Sequence, residues 1–386
     1  RLYQLFEKAS VLGSLINPRA DEGELLVADF HELQPLLEQA LAQESQDDTA
    51  HELAVTARGL AKAAEIVSDK FTLVATNVPY LGRNKQEDYV KDYCERIFPN
   101  SKADLATCFV ERCLQFCRSG GSTALVTLQN WLFYDGFQKL RTELLNGEQW
   151  DFIARLGPKG FRTPMWDFNV MLLGVTHEAP KAVHEFFGLD VSDDATPDSK
   201  GSELIVKRTL SASQKSQLQS SDARIGLETA TPKTLLGKYA DLGKGSVTGD
   251  GPHYLRKFWE IRPAVTDWRP WLNTPREGDG FSGRESFAFW KNDGQDVRRE
   301  IGAWLRGDNV FGRAGILINK TTLAWTSYAG EMFDDNTGAI IPLDNQDLKA
   351  ILAFVTDAGF PASVKKVDQS LKVTIGSFGK IPFDQT

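Results

Sequence analysis

The chain has no apolar run long enough to cross a bilayer, and its first residues, Arg1-Leu2-Tyr3-Gln4, carry no signal-peptide pattern. The sequence therefore predicts no membrane partner and a cytoplasmic location. Cysteine and histidine are scarce, at 4 and 5 among 386 residues. Cys94, Cys108, Cys113 and Cys117 fall in or near one helical stretch, at spacings that match no zinc ligand pattern and with no nearby His. They read as reduced, buried, small apolar residues, and no metal is expected. No Walker A loop, H-E-x-x-H or G-x-S-x-G occurs. A basic excess is missing too: 44 Lys and Arg face 52 Asp and Glu, a net charge of −8. That balance argues against non-specific coating of nucleic acid, but not against a local basic groove.

What is present fits an α/β protein of more than one domain, since 42.9 kDa allows two separate cores. Leu25, Leu26, Phe30, Leu33, Leu36 and Leu37 recur at helical spacing, and a second helical run covers His51 to Val67. A strand follows at Phe71 to Ala75. A helix is predicted over Ala103 to Arg118, stopped by Gly120-Gly121, and then a strand over Thr123 to Leu128. After a helix over Tyr134 to Leu145 come strands at Trp150 to Leu156 and Phe168 to Val175. This order suggests the second half of a doubly wound sheet in residues 1–177. Residues 178–237 read as a connecting region, and 238–386 as a second domain of mixed α/β character. Short strands at Gly315 to Ile318 and Ala339 to Pro342 belong to that domain.

Asn77-Val78-Pro79-Tyr80, at the tip of the first strand, resembles the Asn-Pro-Pro-Tyr tetrapeptide of amino-methyltransferases. An amino group conjugated to a purine is a poor nucleophile until acceptors aimed at its N–H bonds draw its lone pair out of the ring. The Asn77 side-chain oxygen and the Val78 carbonyl are the acceptors this reading assigns, placing negative potential where positive charge develops. Tyr80 supplies a flat face for a base flipped out of the duplex. Val78 stands where the usual tetrapeptide has its first proline. The acceptor there is a main-chain carbonyl, which every residue has, and Val78 precedes Pro79, which biases it toward the extended conformation. The four residues also fit a plain strand followed by an Asn-x-Pro turn.

The order of further segments extends the likeness over nearly the whole chain. Leu12-Gly13-Ser14-Leu15-Ile16, Thr76 to Gly82, Ser101-Lys102-Ala103-Asp104-Leu105 and Gly120 through Trp131 are followed by Thr248-Gly249-Asp250, Arg256-Lys257-Phe258-Trp259-Glu260 and Asp368 to Val373. With these segments the chain resembles the γ-type DNA adenine-N6 methyltransferases. Within them it is similar to the large BREX phage-defence methyltransferases of the PglX group and to restriction-modification enzymes. The resemblance implies a Rossmann-like methyltransferase sheet followed by a target-recognition domain. It also implies S-adenosylmethionine as cofactor, double-stranded DNA as partner, and other phage-defence proteins as further partners. It assigns Phe161, in Gly160-Phe161-Arg162, to stacking on the flipped base, where a hydrophobic plug under a loop is the other reading. It puts Asp104 near the cofactor, although a helix N-terminal acid also accounts for that residue.

The family binds its cofactor through a Gly-rich loop after a first strand, upstream of the tetrapeptide. Gly13 and Gly23 stand alone, so the cofactor loop is expected to be missing and the chain to be the C-terminal portion of a longer protein. Gly278-Asp279-Gly280-Phe281-Ser282-Gly283 has dinucleotide-loop spacing, but it follows no strand and leads into Phe287-Ala288-Phe289-Trp290, so it reads as a flexible surface loop. In the second domain Arg256, Lys257, Arg284, Arg313, Lys320 and Lys372 lie among aromatics and are the candidate DNA-binding cations, against the alternative of an ordinary solvated surface. The leading functional reading is a site-specific adenine-N6 methyltransferase, present as a fragment inactive by itself. A DNA-recognition module without activity of its own is the alternative, and methylation of another planar amino group is a third reading.

Overall fold

Seven residues, Phe71–Asn77, form β1, two residues longer than the sequence suggested, and β1 lies at the edge of a six-stranded sheet. The computed structural model describes residues 7–17, 55–56, 59, 62–162, 168–220, 223–227, 234–262, 267–368 and 371–384, so the helical pattern over 25–37 and Gly23 lie outside the described residues. The chain divides into two compact units, Arg1–Ala230 and Thr231–Thr386. Both are mixed α/β. No helix among the described residues is long and apolar enough to cross a membrane.

In the first unit β1 pairs in parallel with β2 (Cys117–Leu128). The sheet continues through β4 (Val170–Thr176), β3 (Gln149–Gly157), β5 (Glu185–Asp190) and β6 (Leu210–Ser213) in the order β1-β2-β4-β3-β5-β6. The residues read as a connecting region thus carry two further strands of this sheet. One boundary, between Ala230 and Thr231, separates the units where composition had suggested two.

Helices α1 (Asp88–Ile97), α2 (Leu105–Phe116) and α3 (Gln138–Gly147) accompany the sheet. On α2, Ala106, Val110, Cys113 and Leu114 recur at helical spacing and are buried with Leu125, Ile153, Met171, Leu173 and Val175 of the strands. The helix does not run to a glycine stop: it ends at Phe116, and Gly120-Gly121 lie inside β2. A methyl group on Gly121 would stand 2.7 Å from the Phe71 carbonyl, so the glycine serves a close strand approach. There the β1–β2 register shifts, and Gly120 takes φ 74°. The cysteines are free and buried, as the sequence suggested.

The edge strand is open. Every residue of β1 except Val74 is exposed, and Leu73 keeps 61% of its surface. Register places Ala75, Ala124, Gly174, Phe152 and Phe187 in one row across the sheet. The Phe152 ring lies on Gly174, and Phe152 and Phe187 are both exposed.

In the second unit β13 (Met332–Phe333), β9 (Trp268–Leu272), β10 (Ser286–Phe289) and β8 (Leu255–Lys257) form one sheet in that order. A second sheet contains β12 (Trp325–Tyr328), β11 (Gly315–Asn319), β14 (Thr337–Pro342) and β7 (Ala240–Lys244). Ile316, Ile318 and Ile340 pack under Ile351, Val355, Phe360 and Val364, which lie on the helices Leu348–Thr356 and Phe360–Val367. The Gly278–Gly283 segment opens strand β10 and not a helix, which removes the geometry a dinucleotide loop needs. It is also anchored, contrary to its reading as a flexible loop: the Gly280 carbonyl accepts from Ser327 N–H at 2.9 Å and from Thr326 Oγ1 at 3.0 Å.

Burial pushes Glu111, on α2, up to about 7, with Glu143 adding to the shift and Ser101 opposing it. In the unfolded chain a glutamate titrates near about 4.3. The folded state therefore holds the extra proton between those values, and the stability it contributes is lost as pH rises through about 7, levelling off above it. The melting temperature is expected to decline from pH 5 to pH 8 in the native chain, and the Glu111 part of that slope should vanish in Glu111→Gln. An unchanged slope in the variant would contradict this account.

Candidate active site

The pairing of β2, β3 and β4 brings three loops to one end of the first sheet. Asn77 pairs with Val126, Leu128 with Val170, and Gly157 with Val170. The segment after β1, the segment after β2 and the loop between β3 and β4 therefore open at the same edge, where α/β sheets commonly place ligands.

Asn77 is the last residue of β1 and is exposed, while Val78 is buried in the sheet's core. Val78 N–H still donates to the Val126 carbonyl at 3.1 Å, so the strand's direction is held one residue past its end. The Tyr80 hydroxyl donates to Asn77 Oδ1 at 2.8 Å. An amide oxygen has two lone pairs, so this bond turns the oxygen toward Tyr80 and leaves one acceptor direction. Burial pushes Tyr80 up to about 12, which keeps its proton in place as the donor.

Just beyond, the loop is stitched to the start of α2. Leu105 N–H donates to the Leu81 carbonyl at 3.0 Å and Arg83 N–H to the Ala103 carbonyl at 3.0 Å. Asp104 is the N-cap of α2: its Oδ1 accepts from Ala106 N–H at 2.9 Å and from Leu81 N–H at 3.4 Å. Burial raises the Asp104 carboxyl, while the bonds from Ala106 and Leu81 oppose the shift. The structure thus gives Asp104 two partners within the protein and a structural task.

Phe161 is half-buried and packs with Tyr80 against Leu156, Val170 and Val191. The structure brings both aromatic candidates together, with Phe161 in the apolar floor. A third ring, absent from the sequence reading, completes the group: Phe168 stands 5.7 Å from Tyr80, centroid to centroid, at 45°. Sequence pattern had placed Phe168 at the start of a strand, but β4 begins at Val170 and leaves Phe168 exposed in the loop. Its neighbour Asn169 is buried, and its side-chain oxygen has no hydrogen-bond partner among the described residues. A buried acceptor without a donor is costly, which marks Asn169 as a residue that sequence gave no reason to single out.

The six cations proposed for DNA contact lie in the second unit, and each has a partner there, five of them a side-chain partner. Arg284 donates to Thr326 Oγ1 at 3.1 Å and to the Ser327 carbonyl at 2.6 Å. Arg313 bonds Asp241 at 2.6 Å. Lys320 is only 8% exposed and lies 3.7 Å from Asp335, with desolvation lowering its pKa. Lys372 donates to Asn336 Oδ1 at 2.8 Å. Arg256 and Lys257 sit on the edge strand β8. Lys257 is 3.5 Å from Glu285, while Arg256 forms no ion pair among the described residues and donates to the Leu255 carbonyl. No cluster of metal-ligating residues occurs among the described residues.

Residues 7–161 match the family model of the Eco57I restriction-modification methylase. Over 404 aligned residues the chain is 24% identical to the adenine-specific methyltransferase BrxX of Escherichia coli O9:H4 (strain HS), an alignment covering 99% of this chain and 33% of that protein. It is 29% identical over 123 residues to the adenine-specific methyltransferase PglX of Lacticaseibacillus casei (strain Zhang), covering 31% of this chain and 10% of that one. The chain thus spans about a third of the length of BrxX. Among solved structures it is similar to the type IIL restriction-modification enzyme MmeI in complex with DNA, with a TM-score of 0.53 at 12% identity over 82% of this chain and 47% of that one. A nuclease-deletion mutant of the type ISP enzyme LlaGI, bound to a DNA substrate mimic, gives 0.50 at 11% identity over 88% and 36%. At such identities the likeness is one of fold.

Replacing Asp104 by Ala removes the cap and the Leu81 tether together, and is expected to lower unfolding free energy by about 1 kcal/mol in chemical denaturation. Asp104→Asn, which keeps an acceptor at the cap, should retain most of that stability. Equal stability of all three proteins would remove Asp104 as the link between loop and helix.

Proposed function

The chain is homologous to the adenine-specific methyltransferases BrxX and PglX and carries an Eco57I restriction-modification methylase domain, and from this premise we propose that it is the target-base half of a site-specific DNA adenine-N6 methyltransferase of phage defence. The observation that carries the reading is the Asn77 amide, held at an exposed strand tip with its oxygen fixed by the Tyr80 hydroxyl. In this reading that oxygen and the Val78 carbonyl accept the two N–H bonds of the adenine amino group and raise its nucleophilicity as positive charge develops. Tyr80 gives the base a face to stack on. Phe161 and Phe168 are the two candidates for the opposing face, and the exposed position of Phe168 favours it over the half-buried Phe161.

S-adenosylmethionine would supply the methyl group. Asp104, the residue that sequence offered for it, accepts from two backbone N–H groups of the protein through Oδ1, which supports a structural task for that oxygen. We derive no step through the cofactor and place its Gly-rich loop in a part of the full-length enzyme outside this chain. The open strand β1 supports that placement, since an exposed strand at the edge of a sheet can pair with a further strand. The sheet order fits the second half of a Rossmann-like methyltransferase sheet, and the second unit would be the target-recognition domain with duplex DNA as partner. Of its cations, Arg256 and Lys257 are the first candidates for phosphate contact. The engagement of Asp104 Oδ1 by Leu81 and Ala106 supports a second reading for the chain in isolation, a DNA-recognition module without activity of its own.

In the full-length enzyme, Asn77→Ala is expected to reduce methyl transfer to duplex DNA roughly a hundredfold or more, with DNA affinity near the native value. Tyr80→Phe, which keeps the ring and removes the donor, should cost less than Asn77→Ala. Loss of transfer and of DNA binding in equal measure in Asn77→Ala would count against the assignment. Comparing Phe161→Ala with Phe168→Ala by the affinity for a duplex mispaired at the target adenine decides which ring faces the base.

A further inference from the structure

Two large aromatic side chains in the second unit are exposed to solvent and pack on each other. Phe258 is 58% and Trp259 66% exposed, and their ring centroids lie 4.9 Å apart, edge to face. Among the described residues neither joins a buried cluster of this unit. Leaving two adjacent rings in water forgoes a large burial term, so such a pair on an ordered element marks a contact surface.

The element is ordered. Phe258 and Trp259 form a single helical turn, Phe258–Glu260, directly after the edge strand β8. Strand β8 is registered on β10 by Arg256 opposite Phe287 and Lys257 opposite Ser286. Beyond the strand, Phe258 N–H donates to the Glu285 carbonyl at 3.0 Å. Glu260 folds back and accepts from Lys257 N–H at 2.6 Å, closing the turn. The backbone that carries the rings is fixed from both sides, so their presentation costs little ordering entropy on binding.

The charges around the pair indicate an anionic partner. Arg256, Lys257 and Arg262 lie within four residues of the rings. The nearby acids are engaged: Glu260 in the turn, and Glu285 with Lys257 at 3.5 Å and Arg276 at 2.9 Å. Arg256 and Arg262 form no ion pair among the described residues. In a chain of net charge −8 this is a local cationic rim around an apolar tip. Flat rings beside guanidinium groups match stacked bases flanked by phosphates.

We propose that Phe258 and Trp259 form a stacking wedge that enters duplex DNA and packs against its bases, with Arg256 and Arg262 on the adjoining phosphates. The proposal rests on the DNA-directed reading above and adds to it the element that opens or deforms the duplex. Opening a base step costs a few kcal/mol, and stacking on protein rings offsets that cost.

The test measures binding of the full chain to a duplex carrying 2-aminopurine, over a series of salt concentrations. Phe258→Ala and Trp259→Ala should each weaken binding roughly ten- to a hundredfold with unchanged melting temperature, and Trp259→Phe should recover most of the loss. The slope of log affinity against log salt should stay native in these variants, because no cation is removed, and should become shallower in Arg262→Ala. The native chain should change the 2-aminopurine fluorescence, and Trp259→Ala should not. Native affinity in both alanine variants overturns the wedge. Loss of self-association as the sole effect, read by light scattering, also overturns it and makes the pair a protein contact. A native chain that binds no duplex overturns the DNA reading itself, whereas a native chain that binds as tightly as its alanine variants removes only the wedge.

Discussion

The candidate site depends on how a single loop leaves a strand. Asn77 ends β1, and within six residues the chain is tied twice: by Val78 to β2, and by Leu81 and Arg83 to the start of α2. Asp104 closes the arrangement by capping the helix and accepting from Leu81 with the same carboxylate oxygen. A loop fixed at both ends can hold an amide oxygen in one direction, and orientation is what an acceptor needs to act on a developing charge. The rigidity given up by having Val78 in place of a proline is supplied here by Val126 and Asp104.

Much of the first unit was legible because its elements follow simple periods. The apolar positions of α2 repeat at helical spacing, and β2 and β4 alternate or run apolar between polar breaks. The errors have local causes. Gly120-Gly121 reads as a helix stop, since glycine often ends helices, but tertiary pairing with Phe71 needed a glycine inside a strand. Phe168 reads as strand because aromatic residues favour strands, yet the register of Val170 against Leu128 and Gly157 ends the pairing before it. Which side of a strand boundary a residue falls on is a tertiary fact. It decided whether this ring was buried in the sheet or exposed in the loop.

The second unit teaches a different lesson about charge. Counting cations among aromatics picks out Arg284, Arg313, Lys320 and Lys372, but each closes a long loop through hydrogen bonds or ion pairs with the unit itself. Lys320 joins the hairpin between β11 and β12 to Asp335, and Lys372 reaches the same acid from the C-terminal segment. Such pairs are spread along the sequence, 15 to 72 residues apart, and no local pattern reveals them. The informative combination is a cation without an ion pair beside an exposed ring outside the buried clusters, among the described residues, and both properties appear only in three dimensions.

The two open features of the chain differ in physical kind. Among the described residues β1 is an exposed edge strand, and its row continues inward through the small residues Ala75, Ala124 and Gly174. A surface of that kind accepts more protein, because backbone pairing and close approach need small residues and a partner strand. Phe258 and Trp259 instead project large rings from a closed turn whose backbone bonds are already made. What the turn offers is side chain, and flat or apolar groups are what such rings pack against. Both register as exposed hydrophobic surface, yet one is the edge of a sheet and the other a pair of rings on a turn whose backbone is already bonded.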